Sequence, residues 1–241
     1  MPTTTDWAAL ASRLDAALHL EEPPIAITFG PAPPGVDAFD EPFAPPAEDG
    51  RTGRVPAGCV FWMRAADRTF TTVAEDHGNC SVGMMTHGFR TLEQVAGNSD
   101  VATLVGSGWV TEDMVPGIPT VARPAEAVTY GPLASTPVDP DVVLLRLNAK
   151  QAMVLSDALP GLRVEGKPQC HIVAVAKEQG EVAASVGCML SRVRTGLPST
   201  QLTCAVPAAK LADVTEAVGR TAAIDAVVGS YAAEDARRFT G

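Results

Sequence analysis

Apolar residues recur at helical spacing near the start of the chain, at Trp7, Leu10, Leu14 and Leu18, so an amphipathic helix is expected from Asp6 to Leu18. Asp6 suits its N-terminus, and Glu21-Glu22-Pro23-Pro24 ends it. The pattern then changes period. Ile25, Ile27 and Phe29 alternate, as on one face of a strand. Val142 to Leu147 (VVLLRL) is almost unbroken apolar sequence and reads as a buried strand, with Asn148 capping a helix to about Leu159. Gln201 to Val206 is another strand, and Pro207 stands at the start of a helix carrying Leu211, Val214 and Val218 on one face. Gly219 punctuates it, and a last helix presents Ile224, Val227, Val228 and Tyr231 together. Shorter elements lie between. Helices are expected at Cys59 to Ala66, Thr91 to Ala96, Asp100 to Met114 and Cys170 to Gln179. Strands are expected at Thr69 to Ala74, Ala127 to Tyr130 and Val182 to Val186. Glu75 to Phe89 is a glycine-punctuated turn running into a helix. Helices and strands alternate throughout, which defines an α+β (mixed α/β) fold.

One stretch has no period. Pro31 to Gly58 is rich in proline and glycine, with Ala-Pro-Pro at residues 32–34 and again at 44–46. It is expected to be a loop, either solvated or folded as a lid over a pocket. The remaining 1–241 sequence suits one globular domain.

A degenerate repeat runs through that domain. Cys59 to Cys80 and Cys170 to Cys188 share a plan: proline two or three residues before a cysteine, an apolar run, a polar tip, a short strand, then a second cysteine. Extended outward, the halves become residues 20–135 and 138–235 around one core. Ile25 to Phe29 then corresponds to Val142 to Leu147, and Val128-Thr129-Tyr130 to Leu202-Thr203-Cys204, with an insertion near 90–124 in the first half.

Composition narrows the function classes. A net charge of −10 disfavours nucleic acid and anionic membrane as partners, and no apolar run is long enough to span a bilayer. The opening MPTTTDWAAL does not read as a secretory signal. Five widely spaced cysteines, an odd number, suit thiols in a reducing cytoplasm better than a disulfide framework. Oligomeric state is left open.

The chemistry sits on those cysteines. No C-x-x-C pair, C-x-x-C-H or clustered ferredoxin run is present, so no local spacing preforms a site. If the halves pack about a pseudo-twofold axis, however, Cys59, Cys80, Cys170 and Cys188 converge as two equivalent pairs. Four thiolates would hold an iron–sulfur cluster or another soft metal. His77 and His171 stand close in sequence to Cys80 and Cys170 and are stand-in ligands. Cys59 and Cys170 lie where helices begin, which would lower their pKa. Cys204, inside QLTCAV, reads as a packing residue on the face of Leu202 and Val206, and His19 as a surface residue. Glu75 and Asp76 read as capping or solvated groups, and HGNCSVG (77–83) as a weak anion-binding turn. G-x-S-x-G, H-E-x-x-H and Walker A motifs are absent, and no catalytic residue is assigned.

PPIAITF near the start, Cys59 with its apolar run, the GNC at Cys80 and the Cys170…GCMLSR block together resemble the domain of unknown function 169 family. The resemblance covers about residues 20 to 235 and implies a prokaryotic protein with no assigned reaction. The expected function is therefore a cytoplasmic thiolate metal-binding protein, iron–sulfur in type, in redox or small-molecule conversion. The alternative is a non-catalytic protein that binds a small ligand or partner and whose cysteines only pack.

Overall fold

The computed structural model describes residues 5–41, 53–122 and 126–239. Helices are α1 (Trp7–Leu18), α2 (Cys59–Arg64), α3 (Ser81–Thr86), α4 (Leu92–Val95), α5 (Ser99–Gly106), α6 (Ala149–Ala158), α7 (His171–Ala174), α8 (Met189–Arg194), α9 (Leu211–Ala222) and α10 (Ile224–Phe239). Strands are β1 (Ile25–Gly30), β2 (Phe70–Thr72), β3 (Ala127–Pro132), β4 (Val142–Leu147), β5 (Arg163–Glu165), β6 (Ala183–Ser185) and β7 (Leu202–Pro207). The strands form one sheet in the order β2-β3-β1-β4-β7-β6-β5. All pairs are antiparallel except β5 with β6. The fold is mixed α+β, as the pattern of periods required.

Strand alternation divides the core. Ile25, Ile27, Val142, Leu144 and Ala205 face one layer, where Phe61, Trp62 and the α7 residues Ile172 and Val173 cover them. Ala26, Val143, Leu145, Cys204 and Val206 face the other, under Leu10 and Leu14 of α1, Leu155 of α6 and Leu211 and Val218 of α9. The caps follow their sequences. The Asp6 carboxylate accepts the Ala9 N–H at 2.9 Å, and Asn148 accepts that of Gln151 at 3.0 Å.

The two arms of the sheet are paired alike. β1 and β4 meet at the centre with Ala26 opposite Val143, Ile25 opposite Leu144 and Ile27 opposite Val142. Outward, Ile25 faces Pro132 just as Val142 faces Pro207. Further out, Phe70 faces Tyr130 and Ala183 faces Ala205, each partner being the fourth residue of its strand. The Leu133 N–H reaches the Pro24 carbonyl at 2.8 Å, and the Ala208 N–H reaches that of Asp141 at 3.0 Å, one residue before β1 and β4 respectively. Counted from these contacts, Ala127 holds in β3 the place that Leu202 holds in β7, and Val128 that of Thr203, whereas the sequence repeat sets Val128 against Leu202.

The remaining differences are local. The 100–114 helix stops at Gly106, and Gly108 follows with φ +71°, a left-handed turn that glycine adopts freely. The described parts of the 31–58 segment are loop and are tied down. Phe39 is buried, edge-on to Phe61 at 4.9 Å, and its N–H reaches the Thr71 carbonyl at 2.8 Å. Residues 42–52, including the whole of the second Ala-Pro-Pro, lie outside the described residues. Strand β5 and helix α8 come from stretches too short and too polar to show a period.

Cys204 is fully buried on the α1/α9 side, where burial pushes its thiol up to about 12. It fills space as a small apolar side chain. Cys204→Ala should cost on the order of 1 kcal/mol, which thermal denaturation would read as a drop of about 2–4 °C.

Candidate functional site

Each arm places two cysteines at corresponding points. Cys59 opens α2, before β2, and Cys170 caps α7, before β6. Cys80 caps α3, after β2, and Cys188 caps α8, after β6. All four side chains are buried, and none is in a disulfide. Cys59 and Cys170 both belong to the core layer opposite the one that holds Cys204. The sheet therefore separates Cys59 and Cys170 from Cys204.

Cys170 lies within electrostatic reach of Cys80, Cys59 and Cys188, and Cys59 within reach of Cys80 and Cys188. Burial pushes Cys170 well up, and Cys80, Cys59 and Cys188 push it further. Burial likewise raises Cys59, followed by Cys80 and, more weakly, Cys188. Desolvation is the leading cause in both, because a thiolate in an apolar layer loses its hydration. The lowered pKa expected from a helix start is thus overridden: α2 and α7 contribute one short turn each, and burial outweighs their amides. Among the described residues, no group of three or more His, Cys, Asp or Glu side chains is closed up as a metal site.

Donors already point at the sulfurs. The Gln169 amide nitrogen lies 3.2 Å from the Cys59 sulfur, and the Gly83 N–H lies 3.4 Å from that of Cys80. The Gly58 amide also favours the charged form of Cys80, and Thr86 does so for Cys170. An alanine methyl at Gly83 would lie 3.2 Å from the Cys80 sulfur, a tight contact that the sulfur would have to yield to by a few tenths of an ångström.

The cysteine turns are braced by polar side chains. Asn79, buried beside Cys80, accepts the Gly53 N–H at 3.0 Å and donates to the Gly53 and Val55 carbonyls at 2.8 and 3.0 Å. This fastens the segment entering Cys59 to the turn entering Cys80. Arg194 of α8 donates to the Asn79 carbonyl at 2.9 Å, tying the second arm to the same turn. Composition gave no hint of Asn79 or Arg194; the GNC triplet was the only local signal.

The histidines take other places. His77 pairs with the Thr72 hydroxyl at 3.1 Å and packs against Phe61 and Phe89 with ring centroids 4.7 and 4.9 Å away. Its Nδ1 is buried without a hydrogen-bond partner, beneath Gly58. His171 Nε2 lies 3.2 Å from the Glu165 carboxylate. Burial lowers the pKa of both rings, so each is neutral near pH 7. His87 joins the aromatic layer, 5.7 Å from His77, with its pKa lowered by burial to about 4. His19 is exposed at the end of α1. Asp76 caps its own turn, accepting the Val73 N–H at 2.8 Å, and pairs with Arg54 at 3.0 Å.

A mixed α+β protein with buried cysteines matched across one sheet is the class this geometry defines. A family model described as DUF169, an uncharacterised ArCR, matches residues 13–217, and the chain belongs to that family. No curated protein matches, and no solved structure matches. Among the described residues no helix is long and apolar enough to cross a membrane.

Proposed function

We propose that Cys59, Cys80, Cys170 and Cys188 are the ligands of a thiolate-bound metal, an iron–sulfur cluster, and that the protein acts in cytoplasmic redox or small-molecule conversion. One observation carries this reading: Cys59 and Cys170, one from each arm, bury their thiols within electrostatic reach of Cys80, Cys188 and one another, while Cys204 is held across the sheet. Four soft donors without an intervening carboxylate suit iron–sulfur or zinc rather than a hard cation. The N–H groups aimed at Cys59 and Cys80 are the outer contacts that stabilise coordinated thiolate. A bound cation would also reverse the effect of burial, since a coordinating thiol is deprotonated outright.

We further infer that residues 20–135 and 138–235 are a duplication. Its support is the matched strand registers and the paired carbonyl contacts of Leu133 and Ala208. His77 and His171 are not needed as ligands on this reading, because Thr72 and Glu165 engage them.

A second reading has its own observation. Burial raises the Cys59 and Cys170 thiols strongly and no metal group is closed up among the described residues, as expected of cysteines that only pack around a ligand-binding protein. Anaerobic purification followed by iron, sulfide and zinc analysis separates the two. The metal reading expects a brown protein with visible charge-transfer absorption and stoichiometric iron and sulfide. A colourless protein with neither iron nor zinc would leave the packing reading.

A further inference from the structure

Beside the cysteine turn lies a cavity of about 790 Å³, lined among others by Asn79, Ser81, Arg90, Gln94, Asn98 and Arg194. Its size is that of a small-molecule site. The walls come from three parts of the chain: the turn around Cys80, the α4–α5 insertion, and α8 from the other arm. The second arm has no counterpart of α4 and α5 between α8 and β7, so the cavity exists on one side only.

We propose that this cavity binds a small organic oxyanion, a carboxylate or a phosphate ester, held between Arg90 and Arg194. Among the described residues neither guanidinium has a carboxylate partner, in a chain with 28 acidic and 18 basic residues. Arg194 spends one nitrogen on the Asn79 carbonyl and keeps the rest of its fork. The cavity's one acidic residue, Asp100, is already committed. Its oxygens accept the Ser81 N–H at 2.9 Å, the Ser81 hydroxyl at 2.6 Å and the Val101 N–H at 3.0 Å. Asn98 donates to the Ser81 hydroxyl at 2.8 Å, completing a braced wall. With Arg90 and Arg194 against Asp100, the lining carries a net charge of about +1 at neutral pH, opposite to the molecule as a whole. Two planar guanidinium groups on separate elements suit the flat, bidentate faces of carboxylate and phosphate. Asn79 and Ser81 flank Cys80, so a bound anion would sit one residue from that thiol. The site does not depend on whether the cysteines hold metal.

The test is calorimetric titration of the protein as isolated, with inorganic phosphate in one arm and succinate in the other, at ionic strength held constant with sodium chloride. Saturable one-to-one binding is expected in at least one arm, and the arm that responds identifies the ligand class. Arg90→Met should weaken it at least about tenfold, equivalent to about 1.4 kcal/mol. Among the described residues the Arg90 side chain makes no hydrogen bond or ion pair, so this variant removes the guanidinium without breaking one. Arg194→Met should weaken binding by at least as much, and Arg220→Met, distant on α9, should leave it unchanged. Absence of saturable binding in both arms would overturn the proposal. So would an Arg90→Met protein that binds like the parent, or an equal loss in Arg220→Met, which would mark non-specific charge attraction.

Discussion

Cys80→Ala and Cys188→Ala are each expected to emerge from anaerobic purification colourless and without metal, while Cys204→Ala keeps the metal of the parent protein. Cys80 and Cys188 occupy matched caps in the two arms, so removing either takes one ligand of four from the proposed set. A soft metal with three remaining thiolates loses both affinity and the ordering that binding supplies, because metal binding is coupled to folding. Structural zinc contributes on the order of 10 kcal/mol in small domains, and even a third of that would lower the melting temperature by roughly 6–12 °C. Cys204 lies in the opposite layer, among Leu145, Val206 and Leu211, and its loss removes one small apolar group. Iron, sulfide and zinc content of the three variants, with their melting temperatures, make the comparison. Metal retained in all three would place the site elsewhere. Metal lost only from the Cys204 variant would mean the pairing across the arms is wrong.

The strands that carry the sheet's centre were legible because their pattern leaves little choice. VVLLRL is buried throughout as β4, and Asn148 caps the helix after it. The face of Cys204 was legible from the same alternation. The place of β3 relative to β7 was not, and the reason is physical. Matching Val128 to Leu202 looks natural in apolar character, but a one-residue slip exchanges the faces of a strand. The registers put Val128 and Ala205 under the cysteine layer and Cys204 on the other side, so only the match of Ala127 to Leu202 preserves both layers. The site was legible as residue types and not as surroundings. The four cysteines could be matched only through the repeat, but the effect of burial on Cys59, and the reach of Gln169 to it, depend on packing between segments 110 residues apart. The cavity was invisible for the same reason, since Arg90 and Arg194 are more than 100 positions apart in the chain. Helix α10 shows the reverse case. Its stripe of Ile224, Val227, Val228 and Tyr231 was legible, yet every one of these side chains is exposed in the single chain.

Asn79→Ala is expected to be the most damaging substitution outside the hydrophobic layers. The Asn79 side chain is almost completely buried and serves three backbone groups at once: the Gly53 N–H and carbonyl, and the Val55 carbonyl. Alanine leaves all three without a partner in a place water does not reach freely. An unsatisfied buried group costs about 1–3 kcal/mol, so a loss of about 3 kcal/mol or more is expected, or roughly 6–12 °C in melting temperature. The segment cannot relax by moving closer, because Gly53 already packs on this turn. A Cβ built there would lie 2.6 Å from the Asn79 backbone nitrogen and 2.7 Å from that of Gly78. Asn79→Asp should fail almost as badly. Its carboxylate can still accept the Gly53 N–H, but it faces the Gly53 and Val55 carbonyls with no hydrogen to donate. Because the segment from Gly53 leads directly into Cys59 and Asn79 precedes Cys80, both variants should also lose metal in proportion to the loosening of that clip. Denaturant titration with metal analysis on the same samples reads both effects. A variant as stable as the parent would show that the three hydrogen bonds do not hold the turn together.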